Sequence, residues 1–99
     1  MVVGTLRCDV LLGDVHSLKG KRGIVRPVIA ELRRRFDVAA AETGDQDLHR
    51  RAELSVAVVT SDHHHAREVL EACERLVAGR PELELLSTRI RVLDDEDLN

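Results

Sequence analysis

The apolar residues of this chain recur with two different periods, and the order of these periods limits the possible folds more than any other feature. Three long stretches alternate between apolar and polar residues, as strands with one buried face do. Two others repeat their apolar residues every three or four positions, as amphipathic helices do, and a short Ala-rich stretch is compatible with a further strand. The sequence therefore predicts strands at residues 2–12, 38–42, 48–60 and 82–93 and helices at residues 17–36 and 63–78.

The predicted order β-α-β-β-α-β is that of the split βαβ arrangement, a ferredoxin-like α+β sandwich. Two helices would cover one face of a four-stranded antiparallel sheet, with the strands in the order 4-1-3-2. A chain of 99 residues is long enough for one hydrophobic core. We therefore predict a single domain over residues 1–93, followed by a solvated and mobile acidic tail over residues 94–99.

The sheet face away from the helices would carry apolar side chains among polar ones. Covering such a face with a second copy of the chain would remove apolar area from water, so we expect a homodimer. The side chains concerned are Val3, Thr5, Leu11, Ala57 and Val59.

Local signals predict how the elements begin and where they are irregular. Ser17 and Ser61 are suitable N-caps for the two helices. Pro27 lacks a backbone donor and would clash with the carbonyl of Gly23, so we expect a kink or a break of the first helix near Gly23. In the last strand the apolar phase changes at residues 85–86, which predicts a β-bulge.

The composition excludes several classes of function. Two cysteines, Cys8 and Cys73, are too few for an iron–sulfur cluster or a disulfide framework. The absence of Trp and Tyr, with Phe36 as the single Phe, leaves no aromatic surface on which nucleobases could stack. No Gly-rich phosphate loop is present. No apolar run approaches the length of about 20 residues that crosses a bilayer, and the N-terminus lacks a signal-peptide pattern, so a cytoplasmic protein is expected.

Two groups of residues raise the question of a metal site. His63–His65 stand at a helix start, where successive side chains diverge by about 100° and cannot converge on one ion without unwinding. Asp45, Asp47 and His49 alternate at strand spacing and could hold a divalent ion, but Asp is equally typical of a hairpin turn. We expect no metal, no cofactor and no catalytic residue, and the protein is not expected to be an enzyme.

Positive charge is concentrated in the first helical segment. Residues 17–36 carry seven Lys or Arg and one Glu, a net charge of +6 in a chain whose net charge is −3. Clustered cations on one helix can contact a nucleic-acid backbone. They can equally form a solvated face over the edge of the core or bind an acidic protein. The candidate phosphate contacts are Lys19, Lys21, Arg22, Arg26 and Arg33.

Two motifs resemble those of the YlxP-like family, a family of small bacterial proteins with a domain of unknown function. The first is SLKGKR at residues 17–22, followed by Val25 and Arg26, and the second is QDLHRRA at residues 46–52. The resemblance implies a ferredoxin-like fold. It also implies a role near translation, because genes of this family often lie beside those of translation initiation and ribosome-maturation factors. The chain departs from the family pattern at His49, where Trp is common.

The second motif predicts an ordered hairpin between the second and third strands. Gln46, Asp47 and Arg51 could add to the basic surface if the hairpin lies within reach of the helix cations. One of the two arginines Arg50 and Arg51 could pair with Asp47 or Glu42, in a contact worth under about 1 kcal/mol if exposed.

The favoured hypothesis is a non-enzymatic accessory module that contacts RNA or a ribosome-associated particle through the first helix. The alternative is a protein-interaction or dimerising structural domain with no role in nucleic-acid binding. An enzyme of unknown reaction is the third hypothesis.

Overall fold

The sheet and its two covering helices follow the order that the periodicities predict. A computed structural model describes all residues, Met1–Asn99. The four strands form one antiparallel sheet in the order β2-β3-β1-β4, so the predicted ferredoxin-like fold is confirmed. The elements are β1 Val2–Leu12, α1 Leu18–Phe36, β2 Ala39–Gly44, β3 Arg51–Thr60, α2 His63–Ala78, β4 Leu83–Leu93 and a short α3 Asp95–Leu98.

The core lies between the sheet and the two long helices and is built from aliphatic side chains. Burying one Val or Leu side chain stabilises the fold by about 1.5–3 kcal/mol, so many medium-sized residues replace the missing aromatic rings. The face of the sheet opposite the helices is uncovered. There the register places Val3 opposite Val59 and Thr5 opposite Ala57, so these four side chains lie on the face predicted for them. The core residues include Leu6, Val10, Leu12, Val25, Leu32, Leu54, Leu70, Cys73 and Val77.

Helix α1 is continuous through Pro27, so the predicted break near Gly23 is wrong. Pro27 and Gly23 both lie on the exposed side of the helix, where water can satisfy the carbonyl that loses its donor. The predicted Ser17 N-cap is confirmed, since its hydroxyl accepts from the amide of Gly20 at 3.0 Å. The helix ends at Asp37, which has a left-handed backbone conformation with φ 53°.

The predicted bulge in β4 is confirmed. Asp9 of β1 lies opposite Ser87, whereas the next residue, Val10, lies opposite Leu85, so Leu86 is the extra residue and is exposed. The cap of α2 differs from the prediction. Asp62, not Ser61, accepts from the amide of His65 through its carboxylate, at 3.0 Å.

The acidic C-terminus, for which the sequence predicts a solvated and mobile tail, forms a capped helical turn. The Asp94 carboxylate accepts from the amide of Asp97, and the Asp97 carboxylate accepts from the amide of Asp94. The amino terminus of Met1 forms an ion pair with Asp95 at 2.9 Å. The backbone donor of Asp97 holds the pKa of the Asp94 carboxyl below its ordinary value, so this cap weakens as the pH falls through that lowered pKa.

Cys8 on β1 and Cys73 on α2 are both buried free thiols. Burial, together with the Glu74 carboxylate and Cys73, raises the pKa of Cys8 to about 12. Burial raises the pKa of Cys73 to about 11. Because the thiolate is the reactive form of cysteine and both thiols stay protonated at neutral pH, neither cysteine is expected to be reactive.

We expect both thiols to react with a disulfide reagent at least ~100-fold more slowly in the native protein than in the denatured chain at about pH 8. Folding raises both pKa values, so the two protonated thiols contribute fully to the free energy of unfolding below the ordinary pKa of 9.0. This contribution falls as the pH rises from there towards 11 to 12. Thiol titration in the native and denatured states, with denaturant unfolding at several alkaline pH values, measures both effects. A fast native reaction would contradict the burial.

No helix of the structure combines the length and the apolar character needed to span a membrane.

Candidate nucleic-acid interface

The cations of α1 lie on the side of the helix that faces away from α2. At 100° per residue, Lys19, Arg22, Arg26 and Arg33 share an arc of about 60°. Glu31 lies on the opposite side and pairs with Arg80 in the loop after α2. The Arg33 side chain reaches strand β2. The arc is therefore the outer flank of α1, next to the β2 edge of the sheet.

Lys21 does not belong to this surface. It is only 2% exposed, and its Nζ donates to the backbone carbonyl of Asp45 at 2.7 Å. The same Nζ lies 2.8 Å from the Glu42 carboxylate, in an ion pair whose geometry is not that of an aligned hydrogen bond. The prediction that Lys21 contacts phosphate is therefore corrected. The sequence held a signal for this, because Lys21 precedes the buried Val25 by one helical turn.

Arg33 also has a structural role. Its Nε and Nη2 both donate to the carbonyl oxygen of Ala40, at 3.0 and 2.6 Å. Because β2 is an edge strand, this contact occupies a polar group that could otherwise pair with another chain. The charge of Arg33 remains on the outer flank, but two of its nitrogen atoms already donate hydrogen bonds to β2.

Three cations on the outer flank remain exposed, and we call them the basic flank: Lys19, Arg22 and Arg26. None has a carboxylate within 4.0 Å, and the one acidic residue of α1, Glu31, pairs with Arg35 and Arg80. With a rise of 1.5 Å per residue, the basic flank extends over about 10 Å. Arg34, a further cation of α1, is exposed and unpaired as well, but at 100° per residue it lies about 90° around the helix from the basic flank.

The loop between β2 and β3 is held by specific contacts. Asp45 has a left-handed backbone conformation with φ 59°, and its carbonyl accepts from the amide of Leu48 at 3.0 Å. Gln46 donates to the carbonyl of Glu42 at 3.4 Å. Arg50 donates from Nε to the carbonyl oxygen of Gly13 at 2.9 Å.

The three hairpin residues that were predicted to add to the basic surface lie on two different faces of the molecule. The loop with Gln46 and Asp47 adjoins the start of α1, because Lys21 binds the carbonyl of the preceding Asp45. Arg51 instead lies on the uncovered sheet face, where it pairs with Asp9 at 2.6 Å. The predicted pairing of Arg50 or Arg51 with Asp47 or Glu42 is therefore wrong, since both arginines reach towards β1 and the residue that follows it.

The residues considered for a metal site are not gathered around one point. No group of three or more His, Cys, Asp or Glu side chains is arranged to hold an ion. In the histidine cluster, His64 pairs with Glu68 one turn along α2, while His63 lies 3.7 Å from Asp94. These histidines are therefore directed to different partners.

Comparison with known proteins shows which family the chain belongs to. Residues 3–90 match the family described as "Protein of unknown function (DUF503)". The chain is 27% identical over 88 residues to the uncharacterized protein YlxP of Bacillus subtilis (strain 168), an alignment covering 89% of this chain and 96% of that protein. It is also similar to a solution NMR structure of the de novo designed protein LFR1 1 with ferredoxin fold. That similarity has a TM-score of 0.60 and 17% identity, covers 92% of this chain and 86% of the designed one, and concerns the fold alone. Since the family match spans most of the chain, the protein belongs to the DUF503 family.

Proposed function

We propose that the protein is a non-enzymatic accessory module that binds RNA, alone or within a ribonucleoprotein, through the basic flank of α1. The observation that supports the proposal is that Lys19, Arg22 and Arg26 are exposed in one row with no carboxylate partner. Cations that are free of intramolecular pairs can release counterions from phosphates on binding. The other two candidate phosphate contacts, Lys21 and Arg33, bind β2 or the loop that follows it.

The mode of binding would be contact with the phosphate backbone and not with the bases. The strands contain no aromatic residue on which bases could stack. Outside residues 17–36 the chain has a net charge of −9, so the rest of the chain, taken as a whole, disfavours contact with a polyanion. Binding would therefore be confined to the outer flank of α1 and would depend steeply on salt.

We expect a fluorescently labelled RNA fragment to bind with a slope of log K against log salt of about −2 to −3, as three phosphate contacts require. This corresponds to a loss of roughly 16- to 64-fold in affinity between about 50 and 200 mM salt. Arg22→Glu combined with Arg26→Glu should weaken binding at the lower salt by at least ~10-fold and flatten the slope, because two contacts become repulsive. Fluorescence anisotropy at two or more salt concentrations measures both quantities.

The matched control is Arg67→Glu combined with Arg75→Glu, which makes the same change of charge at exposed positions of α2. It should alter RNA affinity far less than the variant of the basic flank, and circular dichroism checks that both remain folded. The proposal fails if no RNA binds at low salt. It fails equally if the two double variants bind alike.

The second candidate function is that of a protein-interaction domain without a nucleic-acid role. It is favoured by one feature of the uncovered sheet face, where Val59 is 68% exposed and lies opposite Val3. A partner or a second copy of the chain could cover this apolar corner. Light scattering distinguishes a homodimer from a monomer of 11.1 kDa.

A further inference from the structure

The uncovered sheet face brings together three arginines that are far apart in the sequence. The antiparallel register places Arg7 of β1 directly opposite Arg89 of β4, and Arg91 follows on the same face, opposite Thr5. Like charges directly opposite each other destabilise a sheet. A fold that holds three guanidinium groups together in this way would be stabilised by an anion placed between them.

Only one of these arginines has an internal partner. Arg7 Nε lies 3.7 Å from the Glu53 carboxylate, whereas neither Arg89 nor Arg91 has a carboxylate within 4.0 Å. The nearby Asp9 is already paired with Arg51. The positive charge of Arg89 and Arg91 is therefore not neutralised within the chain.

Beside these arginines the sheet forms a groove with a volume of about 470 Å³. Its floor is made of small side chains from the neighbouring strands, among them Ala39, Ala41 and Ala57. Because these side chains are short, a flat apolar group could lie close to the sheet. No carboxylate lines the groove, and its volume lies within the range of about 300–1,000 Å³ that is typical of small-molecule sites. We call this the arginine groove, formed by Arg7, Arg89, Arg91 and the alanine floor.

A second cavity, of about 500 Å³, adjoins the arginine groove and shares Arg7 and Arg89 with it. Its lining contains Asp9, Asp45 and Glu53 and no hydrophobic residue. An anion would be repelled by that lining, and an apolar group would find nothing to pack against. The two cavities that share Arg7 and Arg89 therefore differ in their lining. Only the arginine groove, with its alanine floor, suits a ligand that has both an anionic group and an apolar body.

We propose that the arginine groove binds a small organic anion. Its phosphate or carboxylate would be held by Arg89 and Arg91, and its compact apolar body would lie on the alanine floor. Charge complementarity and the volume of one small molecule favour this occupant over a second copy of the chain, which would have to bury Arg89 and Arg91 with partners of its own. The arginine groove lies on the opposite side of the sheet from the basic flank, so it can be tested independently of RNA binding.

The experiment uses anilinonaphthalene sulfonate, a fluorescent probe that combines a flat apolar body with an anionic group. We expect saturable binding to the folded protein, with amide shifts in NMR spectra confined to residues that line the arginine groove, among them Ala39, Ala57, Arg89 and Arg91. Inorganic phosphate and citrate, added separately as competitors, distinguish a preference for phosphate from one for carboxylate. Displacement by either supports the proposal.

Arg89→Ala combined with Arg91→Ala should weaken probe binding by at least ~10-fold, since two charge-assisted contacts are lost. Arg67→Ala combined with Arg75→Ala is the matched control, and it should leave binding unchanged. Ala57→Leu retains all three arginines but fills the floor, and it should also weaken the probe, so the test does not rest on one variant.

Four results would overturn the proposal. They are the absence of saturable binding, shifts that lie outside the groove, equal binding by the two double arginine variants, and light scattering that shows a dimer whose interface excludes the probe. Loss of RNA binding in the basic-flank variant, with probe binding intact, would support the proposed function and this site separately. The reverse result, with no RNA binding at all, would overturn only the proposed function.

Discussion

Replacing Lys21 by methionine is expected to lower the free energy of unfolding by about 2–3 kcal/mol. The change removes the ammonium that lies 2.8 Å from Glu42 and donates to the carbonyl of Asp45. Breaking a fully buried ion pair costs about 3–5 kcal/mol, but the Glu42 side chain is 20% exposed and can be partly hydrated. The corresponding fall in Tm for a domain of this size is roughly 10–20 °C.

Thermal and denaturant unfolding measure this effect, and Lys19→Met is the matched control. Lys19 is exposed and unpaired two residues earlier, so its replacement should change stability by no more than about 0.5 kcal/mol. Combining Lys21→Met with Glu42→Met should recover part of the loss, because the carboxylate then no longer lacks a partner. If Lys21→Met is as stable as Lys19→Met, Lys21 does not hold the β2–β3 loop to α1.

Gly4→Val is expected to destabilise the protein by about 3 kcal/mol, because α2 crosses β1 too closely for a side chain. A Cβ atom built at Gly4 would lie 2.8 Å from Leu70 Cδ1 and 3.2 Å from Val58 Cγ1. Leu70 is fully buried, so it can move aside only by displacing other core side chains. Gly4→Ala adds a single carbon and should cost less, about 1 kcal/mol.

The control for this prediction is Gly23→Ala on the exposed side of α1. A Cβ atom at Gly23 has no neighbour within 4 Å, so alanine should stabilise the helix by about 0.5–1 kcal/mol. Urea unfolding of the three glycine variants gives the comparison directly. A Gly4→Val protein as stable as the wild type would mean that α2 can shift away from the sheet at no cost.

Most of the fold could be predicted because its signals are local. The alternation along β1 and β3 assigns side chains to the core or to the open face, and the helical period does the same for α2, whose bounds were predicted correctly. The bulge in β4 also follows from a local change of phase, although only the pairing with β1 identifies Leu86 as the extra residue. Each of these features depends on residues a few positions apart.

The candidate sites are different, since they depend on which distant groups meet. Sequence reasoning placed Lys21 and Arg33 among the solvent-facing cations, and both proved to be engaged with β2 or the loop after it. Of the candidate contacts, Lys19, Arg22 and Arg26 lie where the helical period predicts them. Whether a cation is free or paired could not be read from the helix alone, because the acceptors are on another element.

By itself, the sequence determined the order of the elements, the buried face of each and the surplus of positive charge on α1, because periodicity and charge are properties of short segments. The tertiary structure alone decided that Lys21 pairs with Glu42, that Arg51 pairs with Asp9, and that Arg7, Arg89 and Arg91 share one face. The physical reason is register: residues more than 80 positions apart become neighbours only when β1 and β4 pair. Hydrogen bonds along those strands then fix which charged side chains stand opposite each other.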